Sequence, residues 1–511
     1  MKQKLMTFAA VLCCSAMFVL SSCNAVDDIP VKNDDADQQA DYTIIYYANG
    51  GGNIDEYLLP IIGDFYGASA EAYKWVNVVV QYKYSTAENM KKQSLFQDEF
   101  CDEWGGKTVR WAIAPQKELA TQMGDPENIY GADNADCTCP DSLTNFINWA
   151  AKNYPAKNYM LIVSDHGGGY TPNDELPEQV SATRGLLYDD GYIVNDRPKH
   201  FTAKSLKRAI ANANVRLQTV YMLACLMNNL EYQFELKDLC DYVIASTFAM
   251  PAEGCALGLL PEALSTYYDD IEWVLSTFCR INVETWEYER DPNTPFYTDL
   301  TVTRTANLDK LGEMMREFTD RLCNTYTNGT EQQKQLIDSC TKHAVKVEAM
   351  RPSYDVAKYM ASIIYALPEV YDNDFAQKME ETFNSCLLAQ NYSSYLTNHD
   401  YMVDYSVMLG VEGTYLYIKC ADDGFTPIGF QAFHSDGTAD DYDLSPNDDK
   451  TSYTATFNKN LAPWGSTLDD TYGQLEFDRI VGWSRWLKLN RQQPNIACPS
   501  AMEFTLPEPN N

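Results

Sequence analysis

Short apolar runs alternate with amphipathic stretches of helical period over most of the chain. The runs have the length and continuous apolar character of strands that are buried on both faces of a sheet. One helix is predicted between Pro140 and Pro155, with Asp141 or Ser142 as its cap, and another begins at Thr202. This alternation predicts an α/β fold with a mostly parallel sheet flanked by helices. The predicted strands lie at residues 42–47, 75–80, 109–113, 160–165, 219–224 and 242–246.

Beyond about residue 270 the pattern changes to longer helical stretches, followed by new strand-like runs. It predicts a C-terminal extension of mixed helices and strands, without internal repeats. The predicted helices cover residues 308–322, 354–367 and 376–388, the strands cover 414–418, 427–433 and 451–457, and a last helix carries Ile480, Trp483 and Leu487. The predicted organisation is a signal segment at 1–23, a flexible acidic tether at 24–40, a main domain at 41–270 and an accessory region at 271–511.

The first residues have the composition of an export signal. Lys2 and Lys4 precede an apolar segment at 5–20, which is too short and too near the terminus for a spanning helix. Small residues and then Cys23 follow, which resembles the lipobox of bacterial lipoproteins, where the cysteine becomes the acylated first residue. An ordinary secretory signal with an unmodified Cys23 is the alternative. The resemblance implies a lipid-anchored protein of the bacterial cell envelope, in the outer membrane and either periplasmic or surface-exposed.

Acidic residues outnumber basic ones by 72 to 39, which gives a formal net charge of −33. This argues against nucleic acid as a partner, because phosphate binding requires clustered lysine and arginine. Most acidic side chains on such a surface are simply solvated, and no EF-hand-like calcium loop is present. The 15 cysteines include no CxxC pair and no cluster with zinc spacing. We therefore predict no cofactor and no metal site.

Two of the predicted strands end in reactive residues. His166 follows the run at 160–165, and Cys225 follows the run at 219–224. The carboxyl ends of neighbouring parallel strands open onto one crevice, so we expect these side chains to meet there. Cys225 also lies where a helix could begin, which would favour its thiolate. The pair would then act as nucleophile and general acid–base, and the amides of Gly167 and Cys225 would bind the oxyanion.

The order of a strand with His-Gly and a later strand with Ala-Cys resembles the shared pattern of the caspase, legumain, gingipain and clostripain peptidases. Among these families, the detailed sequence of the chain is most similar to clostripain. The resemblance implies a caspase-like fold and a cysteine endopeptidase of protein or peptide substrates, with His166 and Cys225 as the catalytic dyad. It also implies calcium dependence as a family trait. The similar segments are 42–55, 123–126, 146–149, 153–155, 164–170, 184–190, 224–227 with Glu231, and 241–246.

The chain departs from the family pattern where substrate specificity is set. The family usually has an aspartate two residues before the cysteine, which is similar to the acid that selects Arg or Lys at P1, and this chain has Leu223 there. A buried leucine leaves a cation without a partner, so we predict a P1 preference other than Arg or Lys. Ser246 and Thr247 are predicted to line the same pocket, with an apolar wall following them. An acid from elsewhere, with Glu253 or Asp189 as candidates, would restore the basic preference.

Two other functions compete with peptide hydrolysis. The first is a non-catalytic surface protein that binds glycans or proteins on a peptidase-derived fold, which the 35 tyrosines, the 9 tryptophans and the altered position 223 would fit. The retained histidine and cysteine argue against it. The second is nucleotide binding by the glycine-rich segment at 49–53, which lacks the Lys-Ser/Thr of a P-loop and does not fit GxGxxG.

Overall fold

The computed structural model describes residues 39–170, 185–194, 197–251, 255–288, 298–342, 353–393, 415–417 and 472–491. Its strands are β1 (Ala40–Asn49), β2 (Val76–Lys83), β3 (Thr108–Ala112), β4 (Ala156–Ser164), β5 (Leu186–Val194), β6 (Arg197–Phe201), β7 (Thr219–Leu223), β8 (Tyr242–Ala245), β9 (Asp299–Arg304), β10 (Ser353–Asp355), β11 (Leu387–Tyr392) and β12 (Tyr415–Tyr417). Short 3₁₀ turns occur at Asp64–Gly67, Ala72–Lys74, Pro126–Asn128 and Thr305–Asn307.

The helices differ in length from one turn to more than five. They are α1 (Asp55–Gly63), α2 (Ala87–Met90), α3 (Asp98–Trp104), α4 (Leu119–Met123), α5 (Pro140–Asn153), α6 (Ala203–Ala211), α7 (Leu230–Leu236), α8 (Leu259–Thr266), α9 (Ile271–Tyr288), α10 (Leu308–Asn328), α11 (Glu331–Lys342), α12 (Val356–Ala366), α13 (Asn373–Cys386), α14 (Glu476–Val481) and α15 (Ser484–Arg491). Within the described residues, none of them combines the length and the apolar character needed to cross a membrane.

An eight-stranded sheet with the order β11-β9-β8-β7-β4-β1-β2-β3 forms the centre of the fold. The five strands from β8 to β2 are parallel, and the strands at both edges are antiparallel to their neighbours. Two further pairs, β5 with β6 and β10 with β12, lie outside this sheet. The predicted α/β fold with a mostly parallel sheet is therefore confirmed.

Helices cover both faces of the sheet, which explains why its strands are apolar without alternation. Along β1, Ile45 and Tyr47 belong to one hydrophobic core, whereas Ile44 and Tyr46 belong to the other. All four side chains are buried. Because successive strand residues point to opposite faces, one strand contributes to both cores at once.

The sheet continues past residue 270, where the sequence predicts the boundary of the main domain. Both β9 and β11 extend it beyond β8, and the C-terminal side chains Tyr472, Phe477 and Trp483 belong to one of the two cores. The described parts of 271–511 thus share a sheet and a core with 41–270. The predicted signal segment, Cys23, the tether at 24–38 and the predicted strands at 427–433 and 451–457 lie outside the described residues.

The pairing of the central strands brings the candidate site together. In the parallel register, Ala48 of β1 lies beside Ser164 of β4, and Ser164 lies beside Leu223 of β7. All three strands therefore end at the same edge of the sheet. The residues that follow them, at 50–53, 165–167 and 224–226, must leave the sheet next to one another.

Candidate active site

His166 leaves the end of β4 two residues after the last sheet position. Its carbonyl oxygen accepts a hydrogen bond from the Leu187 amide (3.1 Å), which ties it to the start of β5. The Tyr188 ring stands edge-on to the imidazole, with the ring centroids 6.3 Å apart. His166 is half-buried.

Asp165, directly before the histidine, has a structural role. Its carboxylate accepts hydrogen bonds from the amides of His166 and Tyr188, and from the side chain of Asn49 (3.2 Å). The side chain is buried, and desolvation raises its pKa well above the ordinary value. It thus fixes the backbone of its neighbour and does not bind the imidazole ring, as the opposite orientation of adjacent strand residues predicts.

A glycine-rich loop after β1 passes directly over the histidine. Gly51 has a φ of +57°, and a Cβ there would lie 2.1 Å from the Asp165 carboxylate and 2.9 Å from the His166 ring. Only glycine fits such a close approach in this conformation. At the end of the loop, the Asn53 side-chain oxygen lies 2.6 Å from His166 Nε2. The glycine-rich segment at 49–53, considered above for nucleotide binding, therefore supplies a hydrogen-bond partner to the histidine.

Gly167 lies against the backbone of the cysteine. A Cβ on Gly167 would be 2.1 Å from the carbonyl oxygen of Cys225 and 2.7 Å from its amide nitrogen. The two segments are thus in direct contact at the edge of the sheet. The absence of a side chain is what permits this contact.

Cys225 is not at the beginning of a helix, contrary to the sequence-based expectation. Helix α7 begins five residues later, at Leu230, with Asn229 as its cap. Leu226 has a φ of +65°, which turns the chain away from a helical path. The Met250 amide instead donates a hydrogen bond to Cys225 Sγ (3.2 Å). A backbone donor at this distance stabilises negative charge on the sulfur.

Residues 246–250 form a wall beside the cysteine. The Phe248 carbonyl accepts from the Leu226 amide (3.0 Å), and the Ser246 carbonyl accepts from the Asn228 amide (2.9 Å). Ser246 and Thr247, which were predicted to contact substrate, are buried, and their hydroxyls donate to Asp299. This burial changes their expected role from contact to support. The more accessible part of the wall is 248–250.

Leu223 and Asp189 bear on the predicted P1 preference. Leu223 is 6% exposed and belongs to an apolar core, so no charge is present at this position. Asp189 is fully buried and forms an ion pair with Lys83 (2.5 Å), which removes it as a candidate for binding a basic P1 side chain. Glu253, the other candidate, lies outside the described residues. Among the residues that the structure does describe, no group of three or more His, Cys, Asp or Glu is placed to hold a metal ion.

Three groups at the site were not predicted from the sequence: Asn53, the Met250 amide and Asp299. The first lies in a glycine-rich loop whose position after a strand was visible, so its approach to the sheet edge could have been inferred. A main-chain amide carries no sequence signal. Asp299 begins β9, which the sequence analysis did not recognise as a strand despite the alternation of Leu300 and Val302 with threonines.

Comparison with known proteins identifies the family. A family model for the clostripain family, peptidase C11, matches residues 47–459. An inactive zymogen C11 protease from Parabacteroides distasonis has a TM-score of 0.51 at 14% identity, over 87% of this chain and 99% of its own. A secreted C11 cysteine protease from Bacteroides thetaiotaomicron, in complex with an irreversible peptide inhibitor, gives 0.49 at 14% identity, with the same coverage. No curated protein sequence matches significantly.

The family model spans most of the chain, and the zymogen structure shares its fold. The chain therefore belongs to the clostripain family and is a cysteine peptidase.

Proposed function

We propose that the protein is an exported, lipid-anchored endopeptidase in which Cys225 is the nucleophile and His166 is the general acid–base. The observation that carries the proposal is the contact between Gly167 and the Cys225 backbone, at the ends of two neighbouring parallel strands. A nucleophile and a base supplied by adjacent strand ends can act on one bound peptide bond.

The proposed reaction has two steps. In the first, Cys225 Sγ attacks the carbonyl carbon, and the imidazolium of His166 gives its proton to the departing amine as the C–N bond breaks. In the second, His166 takes a proton from a water molecule that attacks the thioester, which releases the acid and the free thiol. The amides of Gly167 and Cys225 would donate to the oxyanion in both steps.

Asn53 would orient the histidine during these steps. Its side-chain oxygen lies beside Nε2, so this nitrogen would carry a proton and Nδ1 would be the atom that exchanges protons with sulfur and substrate. The Met250 amide would hold the sulfur. The ring and the nucleophile would thus each have a defined hydrogen-bond partner before substrate binds.

The proposed P1 preference is for a residue other than Arg or Lys. It is supported by the apolar surroundings of Leu223 and by the ion pair that occupies Asp189. Profiling with a peptide library tests it, and cleavage confined to Arg or Lys would contradict it. In that case Glu253→Gln should abolish the basic preference, since Glu253 is the remaining candidate acid.

The proposed anchor is an acyl group on Cys23, followed by the tether at 24–40. The folded chain begins at β1, whose 10 residues run from the opposite edge of the sheet to the candidate site, a distance of roughly 30 Å. The site would thus face away from the point where the tether enters. Labelling with a radioactive fatty acid should modify the chain and should be lost in Cys23→Ala; equal labelling of both would contradict the anchor.

Calcium dependence is tested separately, by assaying the enzyme with and without a chelator.

An acyloxymethyl ketone probe with an apolar P1 residue tests the catalytic proposal. We expect it to label the full-length chain in detergent, and we expect Cys225→Ala to abolish labelling and hydrolysis. Cys139→Ala, at another half-buried cysteine, is the matched control and should leave both unchanged. A chain that binds proteins or glycans, but neither reacts with the probe nor cleaves peptides, would support the non-catalytic alternative.

A further inference from the structure

Asp299 lies behind the wall formed by 246–250 beside Cys225, and its carboxylate accepts hydrogen bonds from that wall. Its Oδ1 accepts hydrogen bonds from Ser246 Oγ (2.9 Å) and from the amides of Thr247 (2.6 Å) and Phe248 (3.3 Å). Its Oδ2 accepts from the hydroxyls of Thr247 (3.1 Å) and Thr301 (3.1 Å). One carboxylate thus holds three consecutive residues of the wall.

The restrained residues connect directly to the cysteine turn. The carbonyl oxygen of Ser246 accepts a hydrogen bond from the Asn228 amide, and that of Phe248 accepts one from the Leu226 amide. Two residues beyond Phe248, the Met250 amide donates to Cys225 Sγ. A displacement of 246–248 would therefore move both the turn that carries the nucleophile and the donor that faces its sulfur.

Stability alone does not account for this carboxylate. Asp299 is fully buried, and desolvation raises its pKa to about 6 despite the five hydrogen bonds. The hydrogen bonds therefore do not fully offset the cost of burying the charge, which makes the group weak evidence for stabilisation. What the group does achieve is a fixed position for the backbone at 246–248.

We propose that Asp299 is a positioning residue of the active site, which acts through 246–250 to hold Cys225 and the adjoining substrate wall in place. This inference rests on the proposed role of Cys225 as the nucleophile. Asp299 touches neither the sulfur nor the substrate, so its influence passes through the backbone. The same restraint sets the position of 248–250, where a bound P1 side chain would meet the wall.

The test measures the alkylation rate of Cys225 by iodoacetamide, kcat and KM on a peptide substrate, and the apparent Tm. Asp299→Asn keeps the volume and one acceptor, and should lower kcat/KM and the alkylation rate by about 5-fold, the effect of one weakened hydrogen bond. Asp299→Ala releases all three wall residues and should lower both by about 100-fold, since small displacements of reacting groups have effects of this size.

Asp478→Asn is the matched control. Asp478 is also buried, its pKa is also raised by desolvation, and it accepts the Ser484 amide (2.6 Å) between α14 and α15. This variant should lower the apparent Tm without changing the alkylation rate of Cys225. A purely structural role for Asp299 would give the same result in its own variants, and would overturn the proposal.

Two further outcomes are distinguishable. If Asp299→Ala does not fold, Ser246→Ala removes one donor to the carboxylate and should lower the alkylation rate by about 5-fold; an unchanged rate would contradict the proposal. If the unmodified chain neither hydrolyses peptides nor reacts at Cys225 with the ketone probe, the proposed function itself fails. If the unmodified chain hydrolyses peptides and reacts with the probe, and Asp299→Asn and Ser246→Ala have the same alkylation rate and kcat/KM as the unmodified chain, only the role of Asp299 fails.

Discussion

Both sides of the site include a buried carboxylate, Asp165 beside His166 and Asp299 behind Cys225, but on the His166 side two glycines also approach their neighbours so closely that no side chain fits. On the first side, Gly51 and Gly167 lie so near their neighbours that a Cβ would overlap them. On the second side, Asp299 gathers donors from 246–248. Added volume should therefore disrupt the first side, whereas the second side should respond chiefly to lost acceptors.

The largest effect is expected from Gly167→Ala. The added methyl group would overlap the carbonyl oxygen and the amide of Cys225, both of which are backbone atoms and cannot rotate away. The strand ends must separate, and kcat/KM should fall by at least about 100-fold. The measurement is hydrolysis of a peptide substrate, together with circular dichroism to establish that the variant is folded.

Gly67→Ala is the matched control for this substitution. No atom lies within 4 Å of a Cβ at Gly67, so the methyl group meets open space. Its kcat/KM should equal that of the unmodified chain. Full activity of a folded Gly167→Ala variant would show that the contact with Cys225 is unimportant, and the contrast between the two sides would fail.

A smaller effect is expected from the hydrogen bond between Asn53 and His166. Asn53→Ala removes a partner of His166 Nε2, so the ring is held less firmly in its orientation, and kcat should fall by about 10-fold with little change in KM. In Asn53→Asp the acceptor is retained as a carboxylate, which favours the imidazolium, so the alkaline limb of the pH–rate profile, where the imidazolium loses its proton, should move to higher pH. Steady-state kinetics across pH would measure both effects.

Asn328→Ala, at an exposed asparagine near the end of α10, is the control for the loss of an exposed amide and should leave kcat unchanged. A rise in KM rather than a fall in kcat for Asn53→Ala would indicate that Asn53 contacts the substrate instead of orienting the ring. An unshifted alkaline limb in Asn53→Asp would contradict the contact with Nε2.

The histidine side was largely predictable from the sequence because its parts are local. A strand followed by His166-Gly167, and another followed by glycines at 50–52, are visible as apolar runs with abrupt ends. The parallel pattern then brings the ends together without knowledge of any side-chain contact. The same reasoning predicted the position of Cys225, which also follows a strand directly.

The support of the cysteine side was not predictable in the same way, because it is distant along the chain. Asp299 is 53 residues from Ser246, with no motif around it, and it reaches the site only because β9 pairs with β8 in antiparallel register. The apolar period of Leu226, Met227 and Leu230 also predicted a helix that begins several residues before the observed one. The Asn229 cap marks its true beginning, and the positive φ of Leu226 has no signature in a leucine.

The smallest expected effect concerns stability and comes from the carboxyl group of the cysteine side. The pKa of Asp299 is about 6 in the folded protein, against 3.8 ordinarily, because burial disfavours its charged form. The folded state therefore binds this proton more tightly, and the stability that it contributes is lost as the pH rises through 6. Apart from its hydroxyl and amide donors, the titratable group facing Asp299 is Cys279 of α9, which burial keeps neutral by raising its pKa well above the usual value.

The variant Asp299→Asn lacks the titrating carboxyl proton, so its stability does not carry this pH dependence. The apparent Tm of the unmodified chain relative to this variant should fall by about 1 °C between about pH 5 and about pH 7.5. A constant or rising difference, measured by calorimetry, would mean that Asp299 is not a desolvated carboxyl, and the contrast between the two sides would lose its electrostatic basis.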